Sequence, residues 1–99
     1  MMFNPSFSHR FKKERKRYAS SGKKNVMYAI DAAIEALLSS DEVPLSPDYG
    51  DHPLEGQFGN CRDIHIGFDI VVVYRVSGDT LQLLRIGSHS ELFEQKGRL

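Results

Sequence analysis

The chain has one cysteine among its 99 residues, no tryptophan and no long apolar run. Because Cys61 has no second cysteine to pair with, an internal disulfide is excluded, and the composition fits a reducing compartment. No apolar run approaches the roughly 20 residues that a membrane-spanning helix needs. Residues 2–7 are short, mixed and followed by charged residues, so no signal peptide is predicted. We expect a cytoplasmic protein with no membrane partner, folded as one domain over residues 1–99.

Lysine and arginine are also absent from residues 25–60, which contain seven acidic residues. Residues 1–24 show the reverse pattern, with eight basic residues and Glu14 as their only acid. The net charge of zero therefore conceals a strongly basic N-terminal segment. Such a segment suits a phosphate backbone or an acidic partner, and a solvated helix face is the alternative that the charges leave open.

Two amphipathic helices are predicted before residue 40. The first covers residues 5–19, with its aromatic residues on one face and Pro5 in its first turn. After a short break, Asn25 can cap the second helix, and the pair should form an antiparallel hairpin. Apolar residues at three- and four-residue steps predict that the second helix faces the core through Met27, Ile30, Ala33, Ile34, Leu37 and Leu38.

Proline and glycine interrupt residues 39–60, which predicts a loop that is long for so small a domain. His52 lies within this loop. Alternation of apolar and polar residues then predicts a strand over residues 61–66, with Asp63 and His65 on the face opposite its isoleucines.

Residues 70–76 are apolar on both faces, which predicts a central strand. The turn that follows predicts a hairpin, with residues 80–86 as the returning strand. The expected fold is α+β, with the N-terminal two-helix hairpin packed on one side of an antiparallel β-sheet.

Three histidines in the second half of the chain could form a site for chemistry. His52 lies on the loop, His65 on the first strand and His89 directly after the last strand. In an antiparallel sheet, His65, Asp69 and His89 can converge at one edge. Histidine can take up and release a proton near neutral pH, and a cation such as Arg85 can stabilise charge on a phosphate. This set suits cleavage of RNA without a metal ion.

Simpler explanations remain open for each of these residues. A histidine in a strand is usually a structural, hydrogen-bonded residue, Asp69 can cap the turn before the central strand, and Phe93 can be a core residue. Arg85 can pair with Asp63 or Asp69 and stabilise the sheet. Three histidines and an acid could also bind zinc, but their spacing differs from that of familiar zinc motifs, so no metal or other cofactor is expected.

The order of several motifs carries a family resemblance. These motifs are Phe11-Lys12-Lys13, Asp51-His52-Pro53-Leu54-Glu55-Gly56, Arg62-Asp63-Ile64-His65, Asp69 before a strand with Tyr74-Arg75, and Arg85-Ile86-Gly87-Ser88-His89-Ser90-Glu91-Leu92-Phe93. Over nearly its whole length the chain closely resembles the YafQ branch of the RelE/ParE superfamily of bacterial type II toxins.

The resemblance implies a RelE-like microbial RNase fold and a ribosome-dependent endoribonuclease that cuts messenger RNA in the A site, which inhibits translation. It implies messenger RNA and ribosomal RNA as partners, together with a neutralising antitoxin similar to the ribbon-helix-helix protein DinJ. Toxin and antitoxin together would repress their own operon, so operator DNA would be bound only through the antitoxin.

The resemblance also places His52, His65, Asp69, His89 and Phe93 on the family's functional positions. It implies proton transfer at the scissile phosphate by His89, activation or orientation of the 2′-OH by His65 and Asp69, and substrate placement by His52. The ring of Phe93 would stack on or position a base.

Further residues are matched to substrate binding. Arg85 corresponds to an arginine expected to contact the phosphate, and Asp63 is an additional candidate in the strand. The basic first helix is expected to grip ribosomal RNA, or to receive an acidic antitoxin segment, through Lys12, Lys13, Arg15 and Lys16.

The chain departs from the family pattern at several positions. Ile70 stands where many relatives have an aromatic residue, Gly50 stands where a basic residue is common, and whether Phe68 replaces the missing ring is left open. Two alternatives follow. The chain could be a catalytically silent toxin homologue that acts only as antitoxin partner and co-repressor, or a ParE-like gyrase poison that does not need the histidines.

Overall fold

The computed structural model describes residues 3–40 and 49–93, which form helices packed on a sheet. None of the described helices is long and apolar enough to cross a membrane. The elements in chain order are β1 (Asn4–Phe7), α1 (His9–Ser20), α2 (Lys24–Ser39), β2 (His52–Pro53), one 3-10 turn (Gly56–Phe58), β3 (Arg62–Gly67), β4 (Ile70–Ser77), β5 (Thr80–Ser88) and α3 (His89–Phe93).

Within the described residues the sheet has five strands in the order β1-β5-β4-β3-β2. Strands β2 to β5 pair antiparallel, as predicted. β1 pairs parallel with β5, from Asn4 opposite Thr80 to Phe7 opposite Leu83. The α+β class is confirmed, and the prediction of a purely antiparallel sheet is wrong at this one edge.

The predicted start of the first helix is wrong because Pro5 lies in β1. Proline has no backbone N–H to donate and is tolerated on an edge strand. The helix begins instead at His9, where the hydroxyl of Ser8 accepts a hydrogen bond from the backbone N–H of Phe11 at 2.9 Å. The same hydroxyl donates to the carbonyl of Leu84 at 2.8 Å, so this cap also joins α1 to β5.

The apolar stripe predicted for the second helix is confirmed in α2, although its N-cap is Lys23 and not Asn25. The stripe packs with Phe11 of α1 against one face of the sheet, which gives the predicted helix hairpin on that side. The buried residues of α2 are Val26, Ile30, Ala33, Ile34 and Leu37.

β4 is the central strand, as predicted, and both of its faces are buried. Val72 and Tyr74 pack beneath the helices, whereas Val71 and Val73 form a second apolar cluster with Leu92 of α3 on the opposite face. Burying a large apolar side chain stabilises the fold by roughly 1.5–3 kcal/mol. The face away from the helix hairpin therefore has an apolar floor of its own, and the candidate site lies on it.

The stretch predicted as a loop over residues 39–60 contains regular structure. β2 pairs with β3, and the backbone N–H of Leu54 donates to the carbonyl of Cys61 at 2.9 Å, which continues that pairing. The 3-10 turn lies between them. Residues 41–48 of the predicted loop lie outside the described residues.

Candidate active site

β2 carries His52 to a position opposite Asp63 on β3, and His65 follows on the same face of that strand. The Nδ1 atom of His52 lies 2.9 Å from Oδ1 of Asp63, and Nε2 of His65 lies 3.9 Å from the same oxygen. The two imidazole rings are stacked, with their centroids 5.7 Å apart. We call these three residues the histidine–aspartate cluster. Its rings are about half exposed and can meet a ligand, whereas its carboxylate is enclosed.

Asp63 is 1% exposed, which is rare for a carboxylate. Burial raises the pKa of Asp63, and the nearby His52, His65 and His89 act to lower it. The Nδ1 atom of His52 also lies 2.9 Å from the carbonyl of Gly50, and only that contact has hydrogen-bond geometry. Within the described residues, Oδ1 of Asp63 is thus a buried acceptor without a hydrogen bond.

A network around Asp51 holds the segment before β2 against the sheet. Nε of Arg62 donates to Oδ1 of Asp51 at 2.8 Å, and the hydroxyl of the buried Tyr74 donates to Oδ2 at 2.6 Å. Burial, followed by the contact with Asp51, raises the pKa of Tyr74, so the phenol remains a donor. Sequence reasoning missed this network, and an acid beside the loop histidine was the only signal for it.

Gly50 has a left-handed backbone, with φ of 58°. A Cβ at this position would lie 3.2 Å from Cδ2 of His65, tighter than most real contacts of a Cβ atom. The carbonyl of Gly50 is also the partner of His52. Glycine at this position therefore fits the close approach of both histidines.

β5 ends at Ser88, and α3 begins at His89 with a reciprocal cap. The backbone N–H of Ser88 donates to Oε1 of Glu91 at 2.9 Å, and the backbone N–H of Glu91 donates to the Ser88 hydroxyl at 3.0 Å. The bond from the Ser88 backbone lowers the pKa of Glu91. The cap fixes the start of α3, so His89 is held at the strand end where the sequence predicts it.

The ring of Phe93 lies one turn further along α3, with its centroid 5.0 Å from that of His89. It packs edge-on against Phe58, with centroids 5.6 Å apart. Phe58 belongs to the 3-10 turn, and sequence reasoning did not single it out; its aromatic ring in a glycine-rich segment was the available signal. Leu92 of α3 packs in one apolar cluster with Val71, the strand partner of His65, so α3 lies on the same face of the sheet as the histidine–aspartate cluster.

Asp69 is not part of this cluster. It is exposed and lies in the turn between β3 and β4, where its charge acts on Tyr18. The acid that meets the histidines is Asp63, because it shares the face of His65 on β3, whereas the turn carries Asp69 beyond the strand end. Asp63 is thus the acid at His52 and His65, while Asp69 directly precedes Ile70, which lies opposite Ser88 at the end of the β4–β5 pairing. A role of Asp69 at the 2′-OH stays a prediction.

Arg85 pairs with Glu14 of α1 and not with Asp63 or Asp69. Its Nη2 lies 2.8 Å from Oε2 of Glu14, and its Nε donates to the same oxygen at 2.9 Å. The other carboxylate oxygen accepts the backbone N–H of Ile86 at 2.9 Å. Glu14 therefore joins α1 to β5 and binds the Arg85 guanidinium, which was expected to contact a phosphate.

The remaining predicted binding residues lie on α1. Arg15 pairs with Asp31 of α2 at 2.7 Å. Lys12, Lys13 and Lys16 are exposed, so they are accessible to a polyanion.

The histidine–aspartate cluster also has the composition of a metal site. One ligand atom from each residue can be chosen so that all three lie within 4.8 Å of one another. Two imidazoles and a carboxylate suit a transition-metal ion, and Oδ1 of Asp63, which has no hydrogen bond, is available as a ligand atom. The residues therefore fit a metal ion, although the sequence spacing does not predict one.

A family model described as "Bacterial toxin of type II toxin-antitoxin system, YafQ" matches residues 3–94. The chain belongs to the YafQ family. The match includes the whole histidine–aspartate cluster and α3, so the resemblance seen in the motifs is confirmed.

Individual relatives support the assignment to this family. Over 57 residues the chain is 37% identical to the mRNA interferase toxin YafQ of Escherichia coli K12, a segment that spans 58% of this chain and 62% of that relative. A chain of the E. coli DinJ–YafQ complex superposes with a TM-score of 0.78 at 27% identity, over 92% of this chain and 98% of the other. A copper-bound mutant toxin from Helicobacter pylori superposes with a TM-score of 0.78 at 35% identity, over 93% and 100%. The predicted fold is therefore confirmed.

Proposed function

We propose that this member of the YafQ family is a toxin of a type II toxin–antitoxin system that cuts messenger RNA in the ribosomal A site and so inhibits translation. The observation that carries the proposal is the histidine–aspartate cluster beside His89, in a chain that the family model matches over residues 3–94. The E. coli relative described as an mRNA interferase supports the same substrate class.

In the proposed reaction the ribose 2′-oxygen attacks the adjacent phosphorus, a 2′,3′-cyclic phosphate forms and the 5′-oxygen leaves with a proton. His65 takes the proton of the 2′-OH, and His89 gives a proton to the leaving 5′-oxygen. His52, whose ring is stacked on that of His65, holds the phosphate. The buried Asp63 does not touch the RNA; its carboxylate lies against both imidazoles and holds them in place.

Two predicted residues border this centre. Asp69 orients the 2′-OH from the β3–β4 turn, and Phe93 positions a base from α3. Arg85 reaches a phosphate only by leaving Glu14, so the proposed reaction does not depend on it.

We propose that cleavage needs no metal ion. Metal binding by the cluster would occupy the imidazole lone pairs that proton transfer requires, so it would inhibit the reaction. The structure of a copper-bound mutant toxin from H. pylori supports metal binding by a protein of this fold. Cleavage of messenger RNA on ribosomes kept in Mg²⁺ should continue after a chelator selective for transition-metal ions is added. Loss of cleavage in this chelator, restored by a transition-metal ion, contradicts the proposal.

The proposed protein partner is a DinJ-like ribbon-helix-helix antitoxin. The E. coli relative in complex with DinJ supports this partner class. The exposed lysines of α1 suit an acidic antitoxin segment as well as ribosomal RNA. In this proposal operator DNA is bound only through the antitoxin. Co-expression of the antitoxin should restore growth.

Expression of the wild-type chain should arrest growth and translation, and His89→Ala should abolish both effects. His9→Ala is the matched control, because His9 is an exposed histidine on α1 that the proposed reaction does not use. Full toxicity of His89→Ala contradicts the role of that residue. A silent antitoxin partner would leave translation unaffected even as wild type, and a gyrase poison would inhibit DNA supercoiling in vitro.

A further inference from the structure

The turn between β3 and β4 holds two consecutive non-glycine residues in the left-handed backbone region. Phe68 has φ of 55° and Asp69 has φ of 60°. Gly67 pairs with Ile70 across them, so this is a two-residue hairpin turn with positive φ at both central positions. Such turns favour Asn-Gly. Aspartate tolerates this conformation, whereas a phenylalanine in it is strained.

The β4–β5 hairpin of the same sheet gives a comparison. Ser77 pairs with Thr80 across Gly78 and Asp79, and the positive φ of 62° falls on the glycine. The chain thus uses glycine where a relaxed turn is sufficient. Strained residues that persist in a fold are concentrated at functional sites.

Core packing does not offset the strain, because Phe68 is 62% exposed. Its ring lines a groove of about 700 Å³ between the α1–α2 turn and the β3–β4 turn. Tyr18 lines the same groove, as do Arg17 and Lys23. This volume lies in the usual range of ligand clefts.

The groove combines aromatic surface with two cations, Arg17 and Lys23, and one acid, Glu91. Arg17 is 63% exposed and lies 3.6 Å from Glu91, a contact in water that leaves it able to bind an anion. An aromatic face flanked by cations is the surface on which proteins bind single-stranded nucleic acid, because the ring stacks on a base and the cations meet phosphates. Ile70, in the groove wall, pairs with Ser88, the residue before His89, and Glu91 of α3 also lines the groove, so it lies on the helix side of the sheet at the end where α3 begins.

We propose that this groove is a nucleotide-binding subsite for single-stranded RNA next to the scissile bond. The ring of Phe68 stacks on a base, and Arg17 and Lys23 bind the flanking phosphates. This inference rests on the proposed function, since it assigns the groove to the same RNA substrate.

Binding is measured on the full chain with a fluorescent 2′-O-methyl RNA oligonucleotide, which cannot be cleaved by attack of a 2′-OH. Phe68→Asn should raise the Kd at least about fivefold, the low end of the effect of losing one stacked base. Phe68→Tyr should bind like wild type, because it keeps the ring. Tyr28→Ala should also bind like wild type, because Tyr28 is an exposed aromatic residue of α2 outside the groove.

A thermal melt separates loss of the ring from loss of the fold. Asparagine adopts the left-handed conformation readily, so Phe68→Asn should melt at or above the wild-type temperature while it binds RNA more weakly. The double variant Arg17→Ala with Lys23→Ala should reduce the slope of log Kd against log salt by about 1.4, for two phosphate contacts with single-stranded RNA.

An unchanged Kd in Phe68→Asn overturns the subsite. So does a Phe68→Asn variant that binds RNA normally but loses an acidic antitoxin peptide, because the groove would then be a protein-binding site. Failure of the proposed function is seen separately: the wild type would then leave messenger RNA on the ribosome intact and translation unaffected, whatever the oligonucleotide Kd values are.

Discussion

Glu14 and Arg85 allow a test of how strongly burial determines the value of an ion pair. The pair joins α1 to β5 at 2.8 Å, and its side chains are only 13% and 17% exposed. Glu14 also accepts the backbone N–H of Ile86. Glu14→Ala therefore leaves a mostly enclosed guanidinium without its partner and removes the acceptor of a backbone N–H.

Breaking a buried ion pair by removing one partner costs about 3–5 kcal/mol. The small exposed fraction lets water reach the guanidinium, so we expect Glu14→Ala to lower the free energy of unfolding by about 2–4 kcal/mol. For a domain of this size the Tm should fall by about 10 °C or more. Glu14→Gln keeps an acceptor for Ile86 but loses the charge, and it should lie between Glu14→Ala and wild type.

The control is the Arg15–Asp31 pair, which also starts from α1 and has a distance of 2.7 Å. Its side chains are 38% and 54% exposed, and exposed pairs contribute about 0–1 kcal/mol. Asp31→Ala should therefore cost less than about 1 kcal/mol. Urea unfolding followed by circular dichroism compares the variants. If Glu14→Ala is as mild as Asp31→Ala, burial does not set the strength of this contact.

Two further substitutions test the buried polar groups. Burial raises the pKa of Asp63 above its ordinary 3.8, so protonation of this carboxyl stabilises the folded state. This contribution is complete below pH 3.8 and is lost as the pH rises through the raised pKa. Asp63→Asn should thus be at least as stable as wild type at neutral pH and should lose this advantage below pH 3.8, while RNA cleavage falls. A stability advantage that grows as the pH is lowered contradicts the raised pKa. Tyr74→Phe removes the 2.6 Å hydrogen bond to the Asp51 carboxylate, so the urea midpoint should fall by the equivalent of about 1.5–3 kcal/mol, the contribution of a hydrogen bond to a charged group. An unchanged midpoint contradicts this.

The sequence predicts those parts of the fold in which the pattern of apolar residues within one segment shows which of its faces is buried. The buried face of α2 is predicted by its apolar stripe, and the two buried faces of β4 are predicted by its continuous apolar run. β1 gives no such signal, because all four of its residues are exposed. Its parallel pairing with β5 is a contact between residues about 76 positions apart, which no local pattern specifies.

The site is predictable in residue type and less so in partners. His52, His65 and His89 are found from their chemistry and from their positions on the loop and at the strand ends. Which acid meets His52 and His65 depends on sheet geometry: Asp63 shares their face of the sheet, whereas a bulge between His65 and Gly67 and the strained turn after it place Asp69 beyond the end of β3. Likewise, the partner of Arg85 is 71 residues away, on a helix face that sequence alone does not orient.

The most direct test of the central claim, that His89 takes part in cutting messenger RNA on the ribosome, is to map 5′ ends of messenger RNA in expressing cells. Wild type and the control His9→Ala should produce new ends at a fixed position within codons of translated reading frames. His89→Ala, confirmed as folded and expressed at the same level, should produce none. The same ends at the same abundance in His89→Ala would contradict the account.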